Sequence, residues 1–511
     1  MRKIHRGIDT INGDIAEVHA EGVGQGELAV IEQPGRAPSL AQVVRLSGRR
    51  VSLQVFAGTR GLSVDASVRF WGHPMRLQVS DGLLGRVLDG SGRPRDGKPP
   101  IDQGVPTELG GPSVNPVRRS LPGRLLETGI PMIDVFNPLV ESQKLPIFSE
   151  AGEPHARLLA RIGLQARADV IVFGGIGLPF DEAMFFQQAF ERGGVMERTV
   201  MFVNTAADPV VERLLVPDMA LAAAEQLAVA GRRVLVLLTD MTAFADALKE
   251  IAVAMEQIPS NLGYPGSLYS DLAARYEKAV ELPGAGSITV LGVTTMPGGD
   301  VTHPVPDNTG YITEGQYYLA RGRIDPFGSL SRLRQLVVGK ATREDHGPLM
   351  NAMIRLYAKS REASKKLAMG FARTEADAKH LRYGERFERR FMDLEVELPL
   401  LQALDLGWQT LAECYEPHEV GIEQRVLDAR WPRWRGWRPC PATWRGWRCR
   451  SCTRVGDHCC PVSWRPIVIH TPTWVSSGNA SRCSGGATSM RIRGGDDACR
   501  RQRTAGETRL W

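Results

Sequence analysis

The first 421 residues of this 511-residue chain hold a single cysteine, Cys414. That excludes a disulfide scaffold and fits a reducing compartment. No apolar run approaches the roughly 18–20 residues needed to cross a bilayer, and Met1-Arg-Lys-Ile-His5 leads into no signal-peptide core. The chain is read as soluble, with any membrane link made through partners. A third absence concerns phosphate. Lys144-Leu-Pro-Ile-Phe-Ser-Glu-Ala-Gly152 stands where an apolar strand turns into a helical pattern beginning near His155. A phosphate-binding loop belongs at such a turn, yet the lysine and hydroxyl of G-x-x-x-x-G-K-[ST] are missing. Glu150 and Glu153 would set negative charge against phosphate, and Pro154 removes one N–H from the helix N-terminus that would otherwise hold an anion.

Lysine is also absent from residues 422–511, although arginine is abundant there. This segment carries 17 Arg against 6 acidic residues, or +11, so the formal +6 of the whole chain leaves −5 for residues 1–421. The basic balance therefore says nothing about the partners of the body. The same segment has seven of the eight Cys and eight of the ten Trp, with repeats such as Trp431-Pro-Arg-Trp434-Arg-Gly-Trp437. Such a composition, without helical or strand periodicity, reads as a GC-rich coding region in a shifted frame, expected to be disordered. Two alternatives are a small metal site built on Cys449, Cys452, His458, Cys459 and Cys460, and a basic arm for nucleic acid. The first has no second spaced pair. The second predicts binding that weakens steeply with salt.

Short apolar alternations broken by glycine predict strands over 15–18, 27–31, 41–46, 51–55 and 68–71, the pattern of a small antiparallel β-barrel. Strand and helix signals then alternate: strands over 170–173, 199–204, 234–238 and 286–295, and helices over 181–192, 219–230 and 242–255. That is the pattern of a mostly parallel sheet covered on both faces. The strand 234–238 ends in Thr239-Asp240, where Asp240 could hold Mg²⁺ in the manner of a Walker B carboxylate or cap the next helix. Proline- and glycine-dense pieces around 296–316 are read as a loop of fixed shape. Residues 349–371 and 376–398 carry apolar side chains on a 3.6 period within charged faces, a helical bundle.

In this order and spacing, Leu84-Gly-Arg-Val-Leu-Asp-Gly-Ser-Gly-Arg-Pro94, Glu127-Thr-Gly-Ile-Pro-Met-Ile-Asp134, Leu237-Leu-Thr-Asp-Met-Thr242, Tyr264-Pro-Gly-Ser-Leu-Tyr-Ser-Asp-Leu-Ala273, Thr302-His-Pro-Val-Pro-Asp307, Ser329-Leu-Ser-Arg-Leu333 and Lys340-Ala-Thr-Arg-Glu-Asp-His346 resemble the B subunit of V-type and archaeal-type rotary ATPases. The resemblance runs from residue 1 to about 415. It implies a β-barrel over residues 1–75, a RecA-like P-loop-type domain with a degenerate phosphate loop over 76–347 and a C-terminal α-helical bundle over 348–421, truncated because the pattern fades after Leu411. It also implies a non-catalytic, regulatory subunit alternating with the catalytic A subunit in a hexamer, with central and peripheral stalks. Coupling of ATP synthesis or hydrolysis to proton transport, a cytoplasmic place peripheral to the membrane and no nucleic-acid partner follow from the same resemblance.

Carried over by residue, Arg332 falls at the family's arginine finger, with Arg334 as the next candidate. Ser149, Gly152, Ser331 and Arg332 are expected at a weak or interface nucleotide contact. No cofactor is expected to bind tightly, ATP or ADP with Mg is expected at the interface with the catalytic subunit, and no protein metal site is expected. The enzyme-class alternative, a self-sufficient RecA-like ATPase motor, needs the missing lysine.

Overall fold

A computed structural model of the chain describes residues 4–432. It begins with an antiparallel sheet of seven strands: Ile4–Arg6, Thr10–Asn12, Ile15–His19, Glu27–Glu32, Ser39–Ser47, Arg50–Val55 and Ser67–Pro74. Numbered along the chain, they lie 1-7-4-5-6-3-2 across the sheet. Period-two patterning sets the inner face: Ser39, Ala41 and Val43 are buried while Leu40 and Gln42 between them are less so. Ala16, Val18, Ile31, Val43, Leu53 and Phe70 form a core separate from the rest of the molecule. Register shifts between Glu27 and Ala29 and between Val43 and Arg45 add twist and help the sheet curl.

The central sheet has ten strands, most of them parallel. In spatial order its parallel members are Gly315–Ala320, Lys144–Glu150, Ser287–Met296, Arg233–Leu238, Val170–Leu178, Thr199–Thr205 and Arg86–Leu88. Their apolar runs serve two faces. Ile171 and Phe173 enter a core shared with helices His155–Gln165 and Phe180–Arg192, whereas Val170 and Val172 enter another shared with Val210–Val229 and Met241–Ala254. Two elements differ from the sequence reading. The helix expected from residue 219 starts at Val210 and runs through Pro217, because buried packing at Leu215, Val216 and Pro217 outweighs the lost N–H. The expected loop at Thr302–Asp307 is largely the helix Pro304–Ile312, whose prolines 304 and 306 sit in the first turn, where N–H groups lack helical partners anyway.

The bundle comprises His346–Ala368, Glu375–Phe387, Leu400–Ala412 and Gln424–Arg430, with a π turn at Glu388–Met392. Phe136 of the central domain meets Phe387 and Phe391 edge-on at 5.3 and 5.9 Å, so the bundle and one face of the sheet share a core. Here the structure corrects the expected truncation. Beyond Leu411 and Ile422 the chain still packs: Val420 and Leu427 are buried, and Trp431 lies edge-on to Trp408 at 6.3 Å. Counting tail composition from residue 422 swept a genuine helix into an arginine-rich segment. The cysteine and histidine candidates of residues 449–460, the proposed basic arm and the remaining tail lie outside the described residues. Among the described residues no helix is long and apolar enough to cross a membrane.

Asp96 ties the connector to the sheet edge by accepting from Arg86 Nε at 2.6 Å and Nη2 at 3.2 Å. Burial works against its charge, but the bonds from Arg86, Lys98 and Val87 win and lower its pKa to about 2. A depressed carboxylate contributes stability that is present above its unfolded value and lost as pH falls through the folded one. Urea midpoints should therefore drop between about pH 4 and pH 2, and Asp96→Asn should flatten that drop.

Candidate functional site

The strand Lys144–Glu150 has a different kind of chemistry at each end. At its C-terminal end the chain turns through Gly152, whose φ of +83° is left-handed and whose surroundings are open, into the helix His155–Gln165. The two carboxylates that sequence reading set against phosphate are engaged by the protein. Glu153 accepts the backbone N–H groups of Arg321 at 2.7 Å and Gly322 at 2.6 Å. Glu150 accepts the Tyr318 hydroxyl at 3.2 Å, and burial followed by that carboxylate pushes the Tyr318 pKa up, keeping it a donor. Ser149 is fully buried; its hydroxyl donates to the Glu150 carbonyl at 3.1 Å and lies 3.3 Å from His155 Nδ1. A cleft of about 530 Å³ opens beside the loop, walled by Glu150, Glu153, Arg321, Arg323, Tyr357 and Glu388. Glu153 is already engaged by two backbone donors, and the cations beside the turn are the guanidinium groups of Arg321, Arg323 and Arg361, which share the cleft with Glu150, Glu153, Asp325 and Glu388.

Asp240 follows the strand Arg233–Leu238 in a left-handed conformation, φ 43°, that a non-glycine residue keeps only under constraint. Its Oδ1 supplies the constraint, accepting Thr242 N–H at 3.1 Å, the Thr295 hydroxyl at 2.9 Å and Thr295 N–H at 3.3 Å. Burial pushes its pKa up while the Thr295 and Thr242 bonds pull it down, and burial prevails. Asp240 thus caps the helix Met241–Ala254. Among the described residues no group of three or more His, Cys, Asp or Glu side chains is arranged to hold a metal ion.

At the other end of the strand stands Arg332. The short strand Leu330–Ser331 pairs antiparallel with Gly315–Gln316, and Arg332 follows with its backbone N–H on the Glu314 carbonyl at 3.0 Å. The guanidinium Nη1 donates to the Thr313 carbonyl at 3.1 Å. The residue is exposed and, among the described residues, pairs with no carboxylate. Ser331 beneath it is buried, donating to the Pro138 carbonyl at 2.8 Å and lying 3.2 Å from Gln143 Nε2.

The structure therefore separates the four residues expected together. Ser149 is level with Leu319 in the sheet and Ser331 with Gly315, four residues apart on one strand, or about 13 Å at the usual rise. Ser149 with Gly152, and Ser331 with Arg332, form two places. Both serine hydroxyls serve the protein's own backbone. Arg334 opens the short helix Arg334–Val337 just beyond.

Gly315 makes the arginine's mount possible. Its φ is +129°, and an added Cβ would lie 2.0 Å from the Leu330 carbonyl oxygen. Gly315→Ala should force the Leu330–Ser331 strand away at a cost of about 1–3 kcal/mol, read as a lower thermal midpoint of the isolated chain. The sequence offered one overlooked signal: Glu141, Ser142, Gln143 and Lys144, four polar residues in a row before an apolar strand, are all buried.

Comparison with known proteins follows the same three layers. The beta-barrel domain of the ATP synthase alpha/beta family matches residues 9–72, its nucleotide-binding domain residues 129–325, and the C-terminal domain of V and A type ATP synthase residues 336–431. The V-type ATP synthase beta chain of Borrelia turicatae is 57% identical over 433 residues, covering 85% of this chain and 99% of that protein. That of Treponema denticola is 58% identical over 433 residues, covering 84% and 100%. Among solved structures, the ATP synthase subunit NeqB from Nanoarcheaum equitans superposes with a TM-score of 0.64 at 31% identity, covering 79% of this chain and all of its own.

Proposed function

Because this chain belongs to the V-type ATP synthase beta-chain family, and so to a multisubunit ATP synthase, we propose that it is the non-catalytic subunit, completing with Arg332 a nucleotide site whose phosphate grip is supplied by the neighbouring catalytic A subunit. One observation carries the reading. A guanidinium that is exposed and, among the described residues, pairs with no carboxylate is fixed at the sheet edge, while the carboxylates of the chain's own loop, about 13 Å away along the strand, are engaged by the protein itself.

An arginine in trans neutralises the charge spread over the transferring phosphoryl oxygens; its planar fork spans two oxygens at once, and it remains charged at any working pH. Holding Nη1 on the Thr313 carbonyl leaves the other N–H groups of the fork for the phosphoryl group. In this reading ATP or ADP with Mg sits at the boundary with the A subunit, and the central and peripheral stalks carry the coupling to proton transport. The subunit itself reaches the membrane only through those partners.

A self-sufficient motor would instead need the phosphate-loop lysine that the turn after Glu150 lacks. The test is phosphate release from MgATP by the isolated chain. None above the uncatalysed rate is expected, and turnover without any other subunit would overturn the non-catalytic assignment.

A further inference from the structure

Beneath Arg332 lies an ionic cluster, built around a buried lysine and two half-buried glutamates, that neither the loop after Glu150 nor the finger itself explains. Lys144 is 7% exposed, and its ammonium pairs with Glu277 Oε1 at 2.8 Å and with Glu314 Oε1 at 3.1 Å. Its backbone N–H donates to Glu314 Oε2 at 2.9 Å, and its carbonyl accepts the Glu314 N–H at 3.1 Å. Gln143 Nε2 reaches the Glu314 carbonyl at 3.2 Å, and that same carbonyl accepts the Arg332 N–H at 3.0 Å. Arg119 closes the far side by donating to Glu277 Oε2 at 3.2 Å. Burying an ammonium is costly, and a buried pair often contributes little net stability compared with an apolar packing of the same shape. What such a pair does provide is fixed geometry. Here the geometry it fixes is that of Glu314, the residue on which the backbone of Arg332 hangs.

We propose that Lys144 is a positioning residue for Arg332, clamping Glu314 so that the guanidinium is presented to the neighbouring site in one place. This rests on the finger reading of Arg332 and adds to it a dependence on a residue too deep to touch nucleotide. Phosphoryl transfer gains from alignment, and a displacement near 1 Å can cost on the order of a hundredfold in rate.

The test uses the reconstituted complex. Lys144→Met should assemble and show KM for MgATP within about twofold of wild type while kcat falls roughly 10- to 100-fold. The double variant Lys144→Met with Arg332→Ala should turn over no more slowly than Arg332→Ala alone, because a clamp without its finger has nothing left to lose. Glu314→Gln keeps the backbone carbonyl under Arg332 but removes the ion pair, and should reproduce the loss; if Lys144→Met does not assemble, this variant decides. Unchanged kcat in the Lys144 and Glu314 variants, losses that multiply with that of Arg332→Ala, or a loss confined to KM would overturn the positioning role while leaving the finger intact. An Arg332→Ala complex with normal turnover would overturn the finger and the clamp together.

Discussion

Complexes carrying Arg332→Ala should assemble and bind nucleotide but turn over ATP roughly 10³- to 10⁵-fold more slowly than wild type. Assembly should survive because, among the described residues, the guanidinium bonds only to the Thr313 carbonyl, and Ser331, Gln143 and Glu314 hold the backbone without it. The loss should fall on kcat, since charge on the phosphoryl oxygens grows only as the transition state is approached. Arg332→Lys should rescue little, because an ammonium is a point charge without the fork. Arg334→Ala serves as the control for the neighbour, and steady-state phosphate release by the four complexes checks the set. A normal rate in Arg332→Ala with a collapse in Arg334→Ala would move the finger by two residues.

A chain ended after Gly421 should have a C-terminal domain about 2–4 kcal/mol less stable than one ended after Pro432. The difference lies in eleven residues. Leu427 is 4% exposed, and its burial is worth about 1.5–3 kcal/mol. Trp431 packs edge-on against Trp408, worth about 0.5–1.5 kcal/mol more. Arg430 approaches Asp345, at 3.7 Å, and Asp345 also accepts the Trp408 indole N–H at 2.6 Å and the Arg343 guanidinium at 2.6 Å. Burial alone would raise the Asp345 pKa, but the Arg343 and Trp408 bonds lower it, so the cluster stays ionised. Urea midpoints by circular dichroism compare the two truncations. Equal midpoints would mean that the last helix adds nothing.

The sequence made the N-terminal and central sheets legible because their residues obey short periods. Five of the seven N-terminal strands carry alternation long enough to see, and only Ile4–Arg6 and Thr10–Asn12, of three residues each, fell below it. The missing lysine after the turn was legible from residue type alone, whereas the partners of Glu150 and Glu153, the Tyr318 hydroxyl and the Arg321 and Gly322 N–H groups, were not. Proline misled at Pro217 and Pro304 for opposite reasons, the first tolerated by packing and the second placed in a first turn. The helix Gln424–Arg430 was hidden because two of its seven residues are arginine and its neighbours begin the tryptophan-rich run. The mount of Arg332 was the least legible part. Gln143, Lys144 and Glu314 read as surface residues by default, and only strand register brings residues 170 positions apart into contact.

The most direct measurement is the affinity of the complex for MgADP with aluminium fluoride, a mimic of the transferring phosphoryl group, with wild-type chain and with Arg332→Ala. Affinity for the mimic should fall at least about a hundredfold in the variant while affinity for MgADP alone stays within about threefold, because the guanidinium acts on transition-state charge. Equal affinity of the two complexes for the mimic would show that this chain lends no cation to its neighbour's site.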